Sequence, residues 1–214
     1  MAGYLGVSHA EAPVMADVPG TAGYAGKAPL SACEEIYTFE NVHPQVVHLF
    51  PKTPSDVLDI GAGTGRDAAG FAALGHSVVA VEPVDSFRKA AQERCAHHNI
   101  EWVDDGLPYL ETLASEKARF DLVMMTAVLM HLDEAHRAVA LAAVAPLMKA
   151  GGLMILILRH GPVPAGRTMF DVGGAEIRRL GDSLGLSCIF ETEHGSADAN
   201  KVGVSWTRIA LRKG

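Results

Sequence analysis

Asp59-Ile60-Gly61-Ala62-Gly63-Thr64-Gly65-Arg66-Asp67 follows an apolar run at 57–60 and precedes a stretch of helical periodicity at 66–74. An apolar strand, a glycine turn and a helix in that order make the opening unit of a parallel α/β sheet. The glycines let the backbone turn tightly and let a ligand approach the main chain. Outward from this turn, apolar strands recur at 77–81, 100–103, 120–125 and 153–158. Helical patterns lie between them at 84–98 and from Asp133 to about Lys149, with a further helix at 176–184. Two alternating segments, 186–191 and 202–211, close the chain as strands. The continuous hydrophobicity of 153–158 suits a central strand covered on both faces. The expectation is therefore one α/β domain over residues 31–214: a mostly parallel seven-stranded sheet, helices on both faces, and an antiparallel final strand.

The first 30 residues are rich in Gly, Ala and Pro and lack a sustained period, which reads as a mobile arm. Residues 31–50 turn amphipathic, with Pro44 splitting them into two short lid helices. The chain has 214 residues, 49% hydrophobic and 20% charged, enough for one core. No apolar run approaches a membrane span, and Glu11 and Asp17 interrupt any signal-like start, so a cytoplasmic location is expected. A net charge of −7 without a Lys/Arg run argues against a nucleic-acid partner. Cys33, Cys95 and Cys188 form no pair at ligand spacing, and the ten histidines include no HExxH, so no metal is expected.

In open α/β sheets ligands bind beyond the carboxyl ends of the strands. Glu82 ends the second strand about twenty positions after Gly61, the offset of a carboxylate that binds ribose hydroxyls. A nucleoside-containing cofactor is implied. A dinucleotide turn would read G-x-G-x-x-G, and here Arg66 stands in the place of the last glycine, which ranks a nicotinamide oxidoreductase last.

The acid-x-G-x-G-x-G arrangement from Asp59 to Gly65 resembles the first motif of class I, Rossmann-like, S-adenosylmethionine-dependent methyltransferases. The resemblance extends along the chain. Val79-Ala80-Val81-Glu82-Pro83 is similar to the family's ribose-binding strand end, and Trp102 to Pro108 to its acidic, adenine-contacting segment. Phe120-Asp121-Leu122-Val123 resembles its fourth-strand motif, and Leu147-Met148-Lys149-Ala150-Gly151-Gly152 its L-K-P-G-G turn, with Ala150 in place of Pro. The resemblance implies S-adenosylmethionine as cofactor and S-adenosylhomocysteine as product. It implies a cofactor set of Asp59, Gly61, Gly63, Gly65, Arg66, Glu82, Pro83, Leu107, Thr126 and one of Asp104 and Asp105. Asp59 would meet the ammonium end, and the start of the helix at Arg66 the carboxylate.

For the transfer itself, His131 and His160 follow the fourth and fifth strands and stand as candidate bases converging on one acceptor. Arg159 and Arg167 either hold a substrate carboxylate or phosphate or pair with Asp171 or Glu176. Tyr37 is a candidate substrate contact from the lid. The acidic balance and the absence of an inserted recognition domain favour transfer to O, N or S of a small molecule. The alternatives are a protein or RNA methyltransferase and a binding module without turnover. Neither the acceptor nor the oligomeric state is readable from the residues.

Overall fold

A computed structural model describes residues 18–21, 23, 24, 38–196 and 202–214. Much of the expected N-terminal arm, most of the first lid helix with Tyr37, and Cys33 lie outside the described residues. Seven strands form one sheet: β1 (Asp56–Ile60), β2 (Ser77–Val81), β3 (Ile100–Val103), β4 (Phe120–Thr126), β5 (Met148–His160), β6 (Leu186–Gly195) and β7 (Ser205–Lys213). Their order is β3-β2-β1-β4-β5-β7-β6. The pairs from β3 through β5 are parallel, and β7 runs antiparallel to both β5 and β6. The helices are α1 (Phe39–Val42), α2 (Arg66–Ala73), α3 (Asp85–Arg94), α4 (Glu134–Val144) and α5 (Gly174–Ser183).

Strand periodicity divides the core between the two faces of the sheet. On one face Leu58, Ile60, Val79, Val81, Leu156 and Leu158 pack with Leu141 and Val144 of α4 and Ile177 of α5. On the other, Val57, Val78, Ala80, Met124 and Ile155 pack with Ala68 and Phe71 of α2 and with Val46 and Phe50. Because every inner strand is buried on both sides, its sequence is continuously apolar, as the residues suggested.

Two helices are shorter than their patterns. Pro146 lacks an N–H, so α4 gives way to a tight 3-10 turn at Ala145–Leu147, and Lys149 to Gly151 fall inside β5 instead of capping the helix. The α3 helix stops at Arg94, where Cys95 turns inward to contact the Gly65 carbonyl and the His98 amide closes on the Cys95 carbonyl at 2.9 Å. Before the sheet, α1 and a 3-10 turn at Val47–Leu49 flank Pro44, so the predicted break is present.

Ion pairs set the two ends of the sheet. At the amino end Lys149 bridges Asp56 and Asp121, each at 2.8 Å, which ties β5 to β1 and β4. Near the carboxyl end the buried guanidinium of Arg137 forks onto Glu176 at 2.6 and 2.9 Å and donates to the Leu132 and Asp171 carbonyls. This clamp joins α4 to α5 and pins the loop that follows β4. Truncating one partner of such a pair strands a buried charge, so Arg137→Ala should lower unfolding free energy by about 3–5 kcal/mol in denaturant titration. A loss under about 1 kcal/mol, the scale of an exposed pair, would show that the clamp contributes little.

Candidate active site

The loop after β1 is built for close approach. Gly61, Gly63 and Gly65 all have positive φ, at 70°, 57° and 86°. A side chain on Gly61 would strike Val128, and one on Gly65 would strike Trp102, so these two glycines are required by packing. A Cβ on Gly63 would meet no atom within 4 Å, which leaves an open cradle beside the backbone.

That cradle is held to β2. The Gly61 and Ala62 amides donate to the Val81 carbonyl, and the Gly63 amide donates to Glu82 Oε2 at 2.7 Å. Glu82 Oε1 accepts from the Val84 amide at 2.8 Å. Burial raises the Glu82 pKa, opposed by those two amides and by Arg88. Arg88 itself donates to the Glu82 carbonyl and to Asp104, both at 2.7 Å, and so links the ends of β2 and β3. Residue patterns gave no hint of Arg88, because its work is done between strands.

Asp59 is buried, and its Oδ2 has no hydrogen-bond partner among the described residues. Burial and repulsion from Asp67 push its pKa well above the usual carboxylate range. Asp67 is ionised. Burial opposes this, but the guanidinium of Arg66 and the His43 ring at 3.0 Å outweigh it. Thr126 donates to the same carboxylate at 2.7 Å. Arg66 and Thr126 are thus committed to Asp67. Asp105 is likewise engaged, its two oxygens accepting from the Gly106 and Thr112 amides at 2.7 Å. Asp104 holds Arg88.

A cavity of about 140 Å³ opens at the carboxyl ends of β1, β2 and β4. Gly61, Gly63, Glu82, Pro83, Leu107 and His131 all line it, so these predicted residues converge. His160 is placed differently. It ends β5 and its Nε2 lies 2.8 Å from the Thr207 hydroxyl on β7, a strand pairing that the β4–β5 neighbourhood alone did not reveal.

The cavity is covered by residues of the N-terminal arm, none of which the sequence reading had singled out. Val18, Pro19, Gly20, Thr21 and Tyr24 line it from outside the sheet. Tyr24 packs edge-on against Phe87 and His131, and its hydroxyl lies 3.0 Å from His131 Nε2. The other ring nitrogen, Nδ1, lies 2.9 Å from the Thr168 carbonyl. A nitrogen facing a carbonyl must carry the proton, so neutral His131 presents the lone pair of Nε2 to Tyr24. Burial lowers the His131 pKa, and the cations of Arg167 and Arg159 lower it further against the Thr168 bond. Tyr24, by contrast, is shifted up by burial and stays a phenol.

Glycine seats this cover. Gly20 and Gly23 have φ of 87° and 84°, and a Cβ on Gly23 would fall 1.7 Å from the Gly166 carbonyl oxygen. The signal available beforehand was an aromatic residue between glycines in an arm of small residues.

Residues 57–152 match the family described as methyltransferase domain. The match spans the glycine loop, Glu82 and the strands β1 to β4, somewhat less than half of the chain. A methyltransferase domain of this kind implies S-adenosylmethionine as the methyl donor. A curated relative, the ubiquinone biosynthesis O-methyltransferase of Bartonella tribocorum, is 30% identical over 110 residues, 51% of this chain. The chain spans 43% of that relative's length. Among solved structures, a methyltransferase from Methanosarcina mazei superimposes with TM-score 0.65 at 16% identity, covering 79% of this chain and 97% of the other. The 1,6-didemethyltoxoflavin N1-methyltransferase of Burkholderia thailandensis, solved with its substrate and S-adenosylhomocysteine, gives 0.62 at 24% identity, covering 78% and 74%. Magnesium protoporphyrin IX methyltransferase of Synechocystis, solved with S-adenosylmethionine, gives 0.61 at 18%, covering 82% and 77%. At these identities the structures establish the shared fold. No helix among the described residues is long and apolar enough to cross a membrane, and no metal-holding cluster occurs among them.

The cover over the methyltransferase domain yields a direct test. Gly23→Ala should unseat Tyr24 from His131, seen as a changed His131 imidazole resonance, while unfolding of the sheet stays within about 0.5 kcal/mol of the parent. An unchanged resonance would mean that Tyr24 does not rest on His131 in solution.

Proposed function

We propose that this chain transfers a methyl group from S-adenosylmethionine to an O, N or S atom of a small molecule, with His131 as the general base. The observation that carries this reading is His131. It is an imidazole on the cavity wall, oriented by the Thr168 carbonyl, with its other nitrogen facing the Tyr24 hydroxyl.

The residues fit the cofactor. Asp59 offers a buried carboxylate oxygen still in need of a donor, as an ammonium group would supply. The open side of Gly63 admits a ligand against the backbone, and Glu82, already oriented by two amides, retains acceptor capacity for ribose hydroxyls. The amino end of α2 suits a carboxylate. When bound, the cofactor supplies a methyl group on a sulfonium, open to in-line displacement. The protein aligns acceptor and methyl and excludes water. The cover of Val18, Pro19, Gly20, Thr21 and Tyr24 serves the second task as a lid, and an acceptor reaches Nε2 through or in place of the Tyr24 hydroxyl.

The small acceptor is favoured by the chain's net charge of −7, which suits no nucleic acid. In the two neighbours above, the named substrates are a toxoflavin precursor and a porphyrin.

S-adenosylhomocysteine should stabilise the protein by RT ln(1 + [L]/Kd), roughly 2.7 kcal/mol at a hundredfold excess. Glu82→Ala should weaken that binding by about 1.5–3 kcal/mol in calorimetry with the fold intact. A clear thermal shift with NAD and none with S-adenosylhomocysteine would overturn the reading.

The pH dependence follows from His131. Its folded pKa lies below the ordinary 6.5, so the ring is neutral above that value and protonates only as pH falls further. Stability from keeping it neutral is complete above the unfolded pKa and is lost as pH drops through the folded one. Turnover should show an acidic limb below pH 6.5. His131→Ala should lower kcat by about 10²–10⁴ and remove that limb, with cofactor affinity near the parent's. Parental kcat in His131→Ala would leave proximity alone as the source of rate.

A further inference from the structure

Six of the eleven arginines are neutralised by a carboxylate. Arg66, Arg88, Arg119, Arg137, Arg178 and Arg179 each hold a carboxylate. Arg159 and Arg167 do not, among the described residues. The guanidinium of Arg159 has only the Met169 sulfur at 3.7 Å, a weak acceptor. Arg167 lies over the Tyr24 ring, 4.3 Å from its centre. The sequence left open whether these arginines pair with Glu176. They do not, because Arg137 occupies both Glu176 oxygens.

The two cations share one place in the fold. Arg167 stacks on the residue whose hydroxyl touches His131 Nε2, and Arg159 touches the neighbour of Thr168, whose carbonyl holds His131 Nδ1. Both are half-buried, so they are partly desolvated without gaining an anion in return. In a protein of net charge −7, two such guanidinium groups beside a candidate base form an unmet demand for negative charge.

We propose that Arg159 and Arg167 are an anion-binding site beside His131, and that the methyl acceptor carries a carboxylate or phosphate. Guanidinium binds either group in a bidentate fork, and two forks fix the acceptor's orientation toward His131. This inference rests on the methyl-transfer reading for the word acceptor, while the anion site stands on the arginines alone.

The test titrates benzoate, phenyl phosphate and neutral benzamide into the full chain saturated with S-adenosylhomocysteine, followed by calorimetry. At least one anion should bind about tenfold more tightly than benzamide, about 1.4 kcal/mol. The stronger of the two anions identifies carboxylate or phosphate. The double variant Arg159→Gln/Arg167→Gln should lose that preference while S-adenosylhomocysteine affinity and circular dichroism stay parental. Arg167→Lys should keep part of it, since the charge remains and the fork is lost. Equal binding of benzamide, a preference that survives in the double variant, or no anion binding at tens of millimolar each overturns the site. Should S-adenosylhomocysteine itself fail to bind, the methyl-transfer reading falls, and the same anion comparison on the ligand-free chain still decides the arginine site.

Discussion

The carboxylate of Glu82 holds the site together. One oxygen takes the Gly63 amide and the other the Val84 amide, so the glycine loop, the end of β2 and the entry to α3 are fixed to a single buried group. Burial makes ionising that group expensive, and the amides compensate only in part. Arg88 extends the arrangement to β3 through Asp104. The cavity therefore has a rigid floor before any ligand arrives, which is the condition for placing a cofactor reproducibly.

Around that floor, some charges lack partners. Asp59 keeps a buried oxygen without a partner, and Arg159 and Arg167 lack carboxylates. Unmet polar groups are unfavourable in a folded chain and are concentrated where ligands complete them. An acid in want of a cation lies beside the glycine loop, and two cations in want of an anion lie beside His131. The two unmet groups differ in sign, so a ligand that meets one cannot meet the other by the same chemistry.

His131 illustrates how tertiary contacts set chemistry. Nothing in Thr126 to His131 dictates a tautomer. The Thr168 carbonyl, brought in from the segment after β5, assigns the proton to Nδ1 and frees Nε2. Phe170 assists by donating its amide to the Met130 carbonyl at 2.7 Å, which keeps the two loops in register. His160 had an equal claim by position, but the pairing of β5 with β7 supplies it with Thr207.

By itself the sequence determined the sheet and the glycine loop with the acid that meets it. Strands buried on both faces are unbroken apolar runs, and positive-φ turns demand glycine, so both effects are written locally in the residues. The acid at the end of β2 was legible for the same reason: strand ends place their next residue at the ligand edge. What only the tertiary structure decided depends on segments distant in the chain. Tyr24 meets His131 across 107 positions, and Arg137 takes Glu176 across 39, which leaves Arg159 and Arg167 without it. Such competitions for a partner are settled by packing, since any of several arginines matches one carboxylate equally well until geometry brings a single one within reach.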